Sequence, residues 1–165
     1  SWFLDLNLIL GYWGGGGKRA YHHTPPVNTR YGLHESLVLL QEEGSENSWS
    51  RHRKNHDALR AGFEAMGLEF VVPEDERLPQ LNAVSIPDGV DEAAVRAALL
   101  SEYNLEIGAG LGAMAGKIWR VGLMGCASNR TNVLFCLGAL DAVLSGMKAP
   151  IKSGVAVDAA RAVYG

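Results

Sequence analysis

The sequence has little of several features that point directly to a function. Only two of its 165 residues are cysteines, Cys126 and Cys136, and their spacing matches neither a disulfide framework nor a cysteine-based zinc site. Charged residues make up 20% of the chain, and the formal net charge is −3, without the basic face that nucleic-acid binding requires. We therefore expect free, buried thiols in a reducing compartment and no nucleic-acid partner.

Long apolar runs are also missing. The longest run near the N-terminus, residues 2–10, is interrupted by Asp5 and Asn7, whereas a membrane-spanning helix needs about 20 apolar residues. The run also lacks the basic start of a signal peptide. The sequence therefore predicts a cytoplasmic protein without a membrane partner, and we expect this run to pack against another part of a larger assembly.

Two glycine-rich matches do not predict nucleotide binding. Residues 110–115 fit the Gly-x-Gly-x-x-Ala fingerprint of dinucleotide sites, but the strand-like run 118–121 follows where a helix must begin. Gly116 and Lys117 resemble part of a phosphate-binding loop, but Ile118 stands where a Ser or Thr would hold magnesium. We interpret this segment as a loop between two strands.

The five histidines do not predict a metal site either. His22 and His23 are adjacent, so their side chains diverge if the segment is extended. His52 and His56 have the i, i+4 spacing of a helical metal-binding pair, but they have no third ligand nearby. Their charged neighbours indicate a solvated helix face.

The order of apolar patterns predicts the α/β class, as a small α+β domain with helices around a small sheet. The second predicted helix carries Trp49, Leu59, Phe63 and Met66 on one apolar stripe. Residues 147–165 are expected to form an exposed tail. The predicted helices are 28–43, 46–66, 91–103, 132–144 and 155–163, and the predicted strands are 68–72, 81–86, 105–107 and 118–124.

The segment Tyr21-His22-His23-Thr24 is unusually dense in polar side chains. It places a phenol, two imidazoles and a hydroxyl in four positions, after the glycine run 14–17 and before Pro25 and Pro26. Prolines hold such a segment extended, and its polar groups are costly to bury without partners. The segment therefore indicates a loop that binds an anion or a partner surface.

Arg120 is the second informative residue, because it interrupts an apolar strand. Alternation along the strand places it on the same face as Ile118 and Gly122. One interpretation is a buried ion pair with a carboxylate such as Glu106, and spacing alone favours it. The other is a bidentate clamp for a substrate carboxylate, since a guanidinium binds carboxylates through two parallel hydrogen bonds.

Seven segments together carry a family resemblance. They resemble the C-terminal part of the alanine–glyoxylate (serine–pyruvate) aminotransferases, which are class V, fold-type I enzymes dependent on pyridoxal phosphate. The matching segments follow the family's order, with nearly the same spacing, over residues 1 to about 145, and no match is seen after Gly146. The segments are residues 1–14, Tyr21-His22-His23-Thr24-x-Pro26-Val27, Leu33-x-Glu35-Ser36-Leu37, Glu46-Asn47-Ser48-Trp49-x-x-His52-Arg53, Arg77-Leu78-Pro79, Glu106-Ile107-x-x-Gly110-Leu111-Gly112 and Gly116-Lys117-x-x-Arg120-x-Gly122-Leu123-x-Gly125-Cys126.

The resemblance implies roles for three residues. Tyr21 and Thr24 match the positions that contact the cofactor phosphate of the neighbouring subunit, and Arg120 matches the arginine that holds the substrate carboxylate. The implied reaction moves an amino group from alanine or serine to glyoxylate or pyruvate. The implied partners are a second copy of the chain, as a homodimer, or an N-terminal half.

The resemblance also implies a domain organisation. Residues 1–45 would belong to the large, cofactor-binding and dimerisation domain, and residues 46–146 to the small C-terminal domain, with a mainly antiparallel sheet covered by helices. Residues 147–165 have no counterpart and no assigned role.

Three elements of the family have no match in this chain. The Schiff-base lysine, the aspartate paired to the pyridine nitrogen and the aromatic stacked on the cofactor ring lie N-terminal to the aligned region. None of the five lysines here matches the Schiff-base lysine, so no catalytic residue is assigned. We therefore expect the chain alone to be inactive and to form no covalent bond with pyridoxal phosphate. The alternative is a non-catalytic, dimerising module. A cysteine desulfurase is disfavoured because a catalytic cysteine loop is missing.

Overall fold

A computed structural model describes residues 1–13 and 21–165. The glycine run 14–17 noted in the sequence lies outside the described residues. By contacts the chain divides into two compact units, Ser1–Ser45 and Glu46–Gly165. Within the described residues, no helix has both the length and the apolar character that a bilayer crossing requires.

The first unit contains only helical elements among its described residues. A 3-10 turn, Trp2–Leu4, precedes helix α1, Leu6–Trp13, and helix α2 covers Val27–Glu43. The prediction of a helix over 28–43 is confirmed, and Gly44 ends it with a positive φ of 83°. Neither α1 nor α2 contains a buried residue.

The second unit contains the other four α-helices of the described residues. Helix α4 begins where the sequence indicated, because the Asp91 carboxylate accepts hydrogen bonds from the backbone N–H groups of Ala93 and Ala94. All four predicted helices of this unit are confirmed within a few residues at each end. They are α3 (Ser45–Met66), α4 (Glu92–Tyr103), α5 (Arg130–Gly146) and α6 (Ala156–Tyr164).

The sheet of the second unit is small and antiparallel. Strand β3, Ile118–Gly122, lies in the centre, between β1, Leu81–Ser85, and the two-residue strand β2, Gly108–Ala109. In the ladder, Arg120 stands between Ala83 of β1 and Gly108 of β2. The predicted fold class, helices around a small, mainly antiparallel sheet, is confirmed.

Two predicted strands are shorter or shifted in the structure. Within residues 68–72 the chain pairs with β1 around an isolated Phe70–Val84 bridge, because Val71 donates to the Ala83 carbonyl at 3.1 Å and Ser85 donates to the Glu69 carbonyl at 2.8 Å. Residues 105–107 precede β2, because the backbone N–H of Leu105 still donates to the carbonyl of Leu99 at the end of α4. The N–H of Leu68 likewise donates to Phe63 of α3, so each predicted strand begins while its first residue is still bonded to the preceding helix.

The core of the second unit lies between the helices and one face of the sheet. Trp119 and Val121 alternate with Arg120 along β3 and point into this core. Phe63, at the end of α3, packs in the same cluster. The largest side chains with less than 2% exposure include Trp119, Phe63, Leu59, Met66, Leu99, Leu137, Leu140 and Leu144.

The segment that follows α5 is packed rather than exposed, which corrects the expectation for residues 147–165. Ala156 and Ala160 of α6 are fully buried. Asp141 of α5 accepts a hydrogen bond of 2.6 Å from the backbone of Gly154, which holds the connecting loop against the helix. Small residues at i, i+4 spacing let α6 approach closely, a packing signal that composition alone hides.

Two side-chain predictions are also corrected. Trp49 is 65% exposed and does not share the buried stripe of α3. Cys126 is exposed, whereas Cys136 is buried and both thiols are free. Burial raises the pKa of the Cys136 thiol to about 12, so this thiol stays protonated near neutral pH.

Candidate functional site

Arg120 lies on the face of the sheet opposite Trp119 and Val121, and it is half-buried. Its Nε donates a hydrogen bond of 2.7 Å to the backbone carbonyl of Ala109 in β2. This bond uses one of the five N–H groups of the guanidinium and fixes the plane of the group.

The two terminal nitrogens of Arg120 remain available. Within the described part of the chain, no ion pair involves Arg120, so the alternative of a pairing with Glu106 is not seen. The terminal N–H groups also have no hydrogen-bond acceptor among the described residues, and they are not among the buried unpaired atoms. Arg120 therefore presents a fixed, solvent-accessible fork that can accept a carboxylate in two parallel hydrogen bonds.

Helix α3 fixes the turn that follows β3. Arg51 donates hydrogen bonds to the carbonyls of Gly125 and Ser128, at 2.9 and 2.7 Å. The backbone N–H of Gly125 donates to Nε2 of His52 at 3.1 Å, and Asn55 donates to the hydroxyl of Ser128. Gly125 has a φ of +55°, which favours glycine at this turn. Helix α3 thus holds the turn that follows the strand carrying Arg120.

The histidines of α3 are buried, which corrects the interpretation of this stretch as a solvated face. His52 is 7% exposed and His56 is 3% exposed. Since Nε2 of His52 accepts a hydrogen bond from the Gly125 N–H, the ring proton is assigned to Nδ1, which donates to the carbonyl of Ser48 at 2.7 Å. Because the neighbouring residues are charged, the sequence predicted an exposed helix face and gave no sign that His52 is buried and hydrogen-bonded.

His56 has a different partner in the same unit. Its Nδ1 lies 2.7 Å from Oδ1 of Asn82, whose amide donates to the carbonyl of Val121. Burial lowers the pKa of His56 below its ordinary value, although the hydrogen bond to Asn82 acts in the opposite direction. The described residues contain no group of three or more His, Cys, Asp or Glu side chains placed to hold a metal ion.

Tyr21 and Thr24 lie in the first unit, in the extended segment that precedes α2. Their hydroxyl groups are hydrogen-bonded to each other, and the Tyr21 side chain is 71% exposed. Their mutual hydrogen bond uses the proton of one hydroxyl, so the pair offers one free O–H donor in this arrangement, and both donate to a phosphate once that bond is exchanged for phosphate contacts. The two predicted phosphate contacts are therefore brought together by local structure.

Aromatic contacts hold this segment in place. The ring of His22 stacks on Trp2 with centroids 4.2 Å apart, and the ring of His23 lies 4.6 Å from that of Phe3. Tyr12 of α1 meets the edge of Tyr21 at 6.1 Å. The apolar N-terminal run is thus used, in part, to support the polar segment.

Comparisons with known proteins show which enzymes this chain resembles. No family model matches the chain. The chain is 41% identical over 162 residues to the (S)-ureidoglycine–glyoxylate transaminase of Bacillus subtilis, an alignment that covers 98% of the chain and 38% of the relative. It is 40% identical over 146 residues to the alanine–glyoxylate aminotransferase of Callithrix jacchus, covering 87% of the chain and 35% of that enzyme.

A solved structure gives the same result. The crystal structure of the B. subtilis ureidoglycine–glyoxylate aminotransferase superposes with a TM-score of 0.89, over 99% of the chain and 42% of that protein. The chain is homologous to the C-terminal part of class V aminotransferases. It spans between 35% and 42% of the length of these relatives. The resemblance found in the sequence is therefore confirmed, and pyridoxal phosphate is the cofactor expected from it.

Sequence reasoning missed several residues around the candidate aminotransferase site. Gly108 and Ala109 contact Arg120, and Arg51 and His52 hold the turn after β3. Only a tertiary contact identifies them, because backbone carbonyls leave no sequence signal. The one signal present was the run of small residues at 108–110, which allows close approach of another side chain.

Proposed function

We propose that this chain supplies substrate and cofactor contacts to a pyridoxal-phosphate-dependent aminotransferase that uses glyoxylate as an amino acceptor. The observation that carries the proposal is the fork of Arg120, fixed through Nε and without a carboxylate partner among the described residues. In this role Arg120 binds the carboxylate that every amino acid and 2-oxo acid substrate shares. Orientation of the substrate in this way lowers the entropic part of the barrier.

The chain's own residues fit one part of the cofactor. Tyr21 and Thr24 present adjacent hydroxyls to a phosphate, and the proposal assigns that phosphate to the cofactor of a neighbouring subunit. When bound, pyridoxal phosphate supplies the electron sink for the chemistry at the substrate's α-carbon. The resemblance places the lysine that would carry it N-terminal to the aligned region, so the proposal assigns to this chain the substrate and phosphate contacts only.

The substrate class follows from the two relatives. Their names share glyoxylate, and differ in the amino donor, (S)-ureidoglycine or alanine. In the proposed reaction the donor loses its amino group and becomes an oxo acid, while glyoxylate gains it and becomes glycine. Serine as donor and pyruvate as acceptor are further members of the same class.

The test is a reconstitution. The chain is co-expressed with the N-terminal part of the B. subtilis transaminase, and glycine formation from glyoxylate is measured with each donor. We expect activity only when both parts are present, and Arg120→Ala should weaken it by about 2–4 kcal/mol of transition-state stabilisation. Arg120→Lys keeps the charge without the planar fork and should lie between the two.

Arg96→Ala is the matched control, because Arg96 is a surface arginine paired with Glu92 on α4. It should leave the reconstituted activity unchanged. If the assembled enzyme forms but Arg120→Ala reacts as fast as the unaltered chain, the clamp is wrong. If neither donor reacts and pyridoxal phosphate is not retained, the chain is the non-catalytic, dimerising module that the sequence left open.

A further inference from the structure

The two residues of β2, which we call the arginine cradle (Gly108 and Ala109), are the immediate surroundings of the Arg120 side chain. Ala109 contributes its carbonyl, which accepts the hydrogen bond from Nε at 2.7 Å. Gly108 stands directly opposite Arg120 in the β2–β3 ladder. The cradle therefore offers Arg120 one hydrogen-bond acceptor, the Ala109 carbonyl, beside a residue without a side chain, Gly108.

The missing side chain at Gly108 leaves space that the guanidinium occupies. A Cβ atom built at Gly108 would lie 3.3 Å from one terminal nitrogen of Arg120, and 3.5 Å from its Nε and its Cβ. The two contacts at 3.5 Å are ordinary van der Waals contacts, but the contact at 3.3 Å is tight and requires the terminal nitrogen to move by a few tenths of an ångström. Because Nε is held by Ala109, that movement would lengthen the hydrogen bond or tilt the fork.

We propose that Gly108 is a positioning residue for substrate binding: its lack of a side chain lets the Arg120 guanidinium lie flat on β2, with both terminal nitrogens directed at the carboxylate. The inference rests on the proposed function for the identity of the ligand, but its geometry concerns only this chain. It assigns to β2, a strand of two residues, the task of orienting the fork before substrate arrives. Preorientation reduces the ordering that binding otherwise requires.

Gly122 provides a matched control on the same face of the same sheet. It lies two residues after Arg120 on β3, and among the described residues a Cβ added there would meet only the end of the Met124 side chain, at 3.9 Å. Gly108→Ala and Gly122→Ala therefore make the same chemical change and have similar effects on the unfolded chain. Only the first crowds Arg120.

The first measurement reads the geometry without any ligand. In the full chain labelled with ¹⁵N, the Nε–H of Arg120 is assigned by its loss in Arg120→Lys. We expect slow exchange with water in the unaltered chain and in Gly122→Ala, because Ala109 holds the proton. In Gly108→Ala we expect a changed chemical shift and exchange faster by about tenfold.

The second measurement reads the consequence for binding. Pyruvate is titrated into the same samples, and we expect Gly108→Ala to bind it about tenfold more weakly, since displacement of a positioning group by a fraction of an ångström has an effect of this order. In an Arg120→Lys background the same Gly108→Ala change should have no further effect, because the group it displaces is gone.

The outcomes distinguish the positioning role of Gly108 from the carboxylate-binding role of Arg120. An Nε–H signal that is the same in Gly108→Ala and in the unaltered chain overturns the positioning role, whatever pyruvate does. An equal loss of pyruvate affinity in Gly122→Ala overturns it as well. Pyruvate binding that persists unchanged in Arg120→Ala instead overturns the proposed clamp, while the exchange measurement still decides whether Gly108 positions the arginine. Unchanged unfolding midpoints in both glycine variants exclude a loss of fold as the cause.

Discussion

The two units of the chain differ in how their helices are held. In residues 1–45, neither α1 nor α2 contains a buried residue, and large apolar side chains such as Trp13 and Tyr31 are more than 70% exposed. In residues 46–165, α3 alone contributes nine buried residues. Isolated helices of this length are marginal in water, and most helical stability comes from tertiary packing. The described residues of the first unit therefore carry apolar surface without buried positions, whereas the second unit has a hydrophobic core.

This difference agrees with the proposed assembly. Exposed apolar surface on this scale is typical of an interface, and the proposed phosphate contacts, Tyr21 and Thr24, lie in the same unit. Arg120 lies in the unit with the core, where a rigid sheet can hold a substrate group in a fixed orientation. The comparison leads to four predictions, in order of decreasing effect.

The largest expected effect tests the core itself. Trp119 is fully buried at the centre of the second unit, whereas Trp13 in α1 is 72% exposed. We expect Trp119→Ala to lower the free energy of unfolding by about 3–5 kcal/mol, and Trp13→Ala to change it by less than about 0.5 kcal/mol. Urea denaturation followed by circular dichroism measures both. A similar loss in the two variants would mean that the first unit also has a core.

The second prediction makes the same substitution in each unit and expects opposite signs. A Cβ at Gly110 would lie 2.0 Å from the carbonyl oxygen of Met114, whereas no atom of residues 1–13 or 21–165 lies within 4 Å of a Cβ at Gly32 in α2. Gly110→Ala should destabilise by roughly 1–3 kcal/mol, because backbone must move. Gly32→Ala should stabilise its helix by about 0.5–1 kcal/mol. Thermal melts that move in the same direction for both would contradict this account.

Gly110 also shows what the sequence could and could not predict. The sequence predicted that a strand, and not a helix, follows the Gly-x-Gly-x-x-Ala match, and strand β3 confirms that order. The reason for the first glycine, its contact with the Met114 carbonyl, depends on the path of a 3-10 turn, Gly112–Met114, that leaves no periodic signal. Helices were predicted well, since α4 and α5 have clear caps and a repeating apolar face.

Buried polar contacts were the part that sequence reasoning could not reach. The stretch Arg51 to Lys54 has the composition of a solvated face, yet His52 is buried and Arg51 binds two carbonyls. Their partners are backbone atoms of a turn more than 70 residues away, and a backbone carbonyl has no residue identity to detect. The roles of Arg120, Tyr21 and Thr24 came from the family resemblance, and they stay proposals.

The third prediction concerns pH and the core of the second unit. Because burial lowers the pKa of His56 below its ordinary value of 6.5, the unfolded chain binds a proton in a range where the folded chain does not. Stability from this group is therefore complete above pH 6.5 and is lost as the pH falls below it, with a slope of up to about 1.4 kcal/mol per pH unit.

The test compares two histidines, one in each unit. His56→Asn keeps a donor for Asn82 but cannot titrate, so the acid loss of unfolding free energy between about pH 6.5 and 5 should become shallower. His34→Asn, on the exposed surface of α2, should leave that profile unchanged. Urea denaturation at a series of pH values measures the slope, and an unaltered slope in His56→Asn would assign the acid sensitivity to other groups.

The smallest effect concerns reactivity rather than stability, and it tests how tightly the second unit is closed. Cys126 is exposed on the turn that Arg51 holds, whereas Cys136 is buried in α5 with a pKa raised to about 12. At pH 7.5 a disulfide reagent such as dithionitrobenzoate should modify one thiol quickly, and Cys126→Ser should remove that phase. Modification of Cys136 requires opening of the core, so its rate should rise with urea in parallel with unfolding. Fast modification of both thiols without denaturant would show that the helices of this unit open locally. The second unit would then differ less from the first in the protection of its side chains than their burial in the structure indicates.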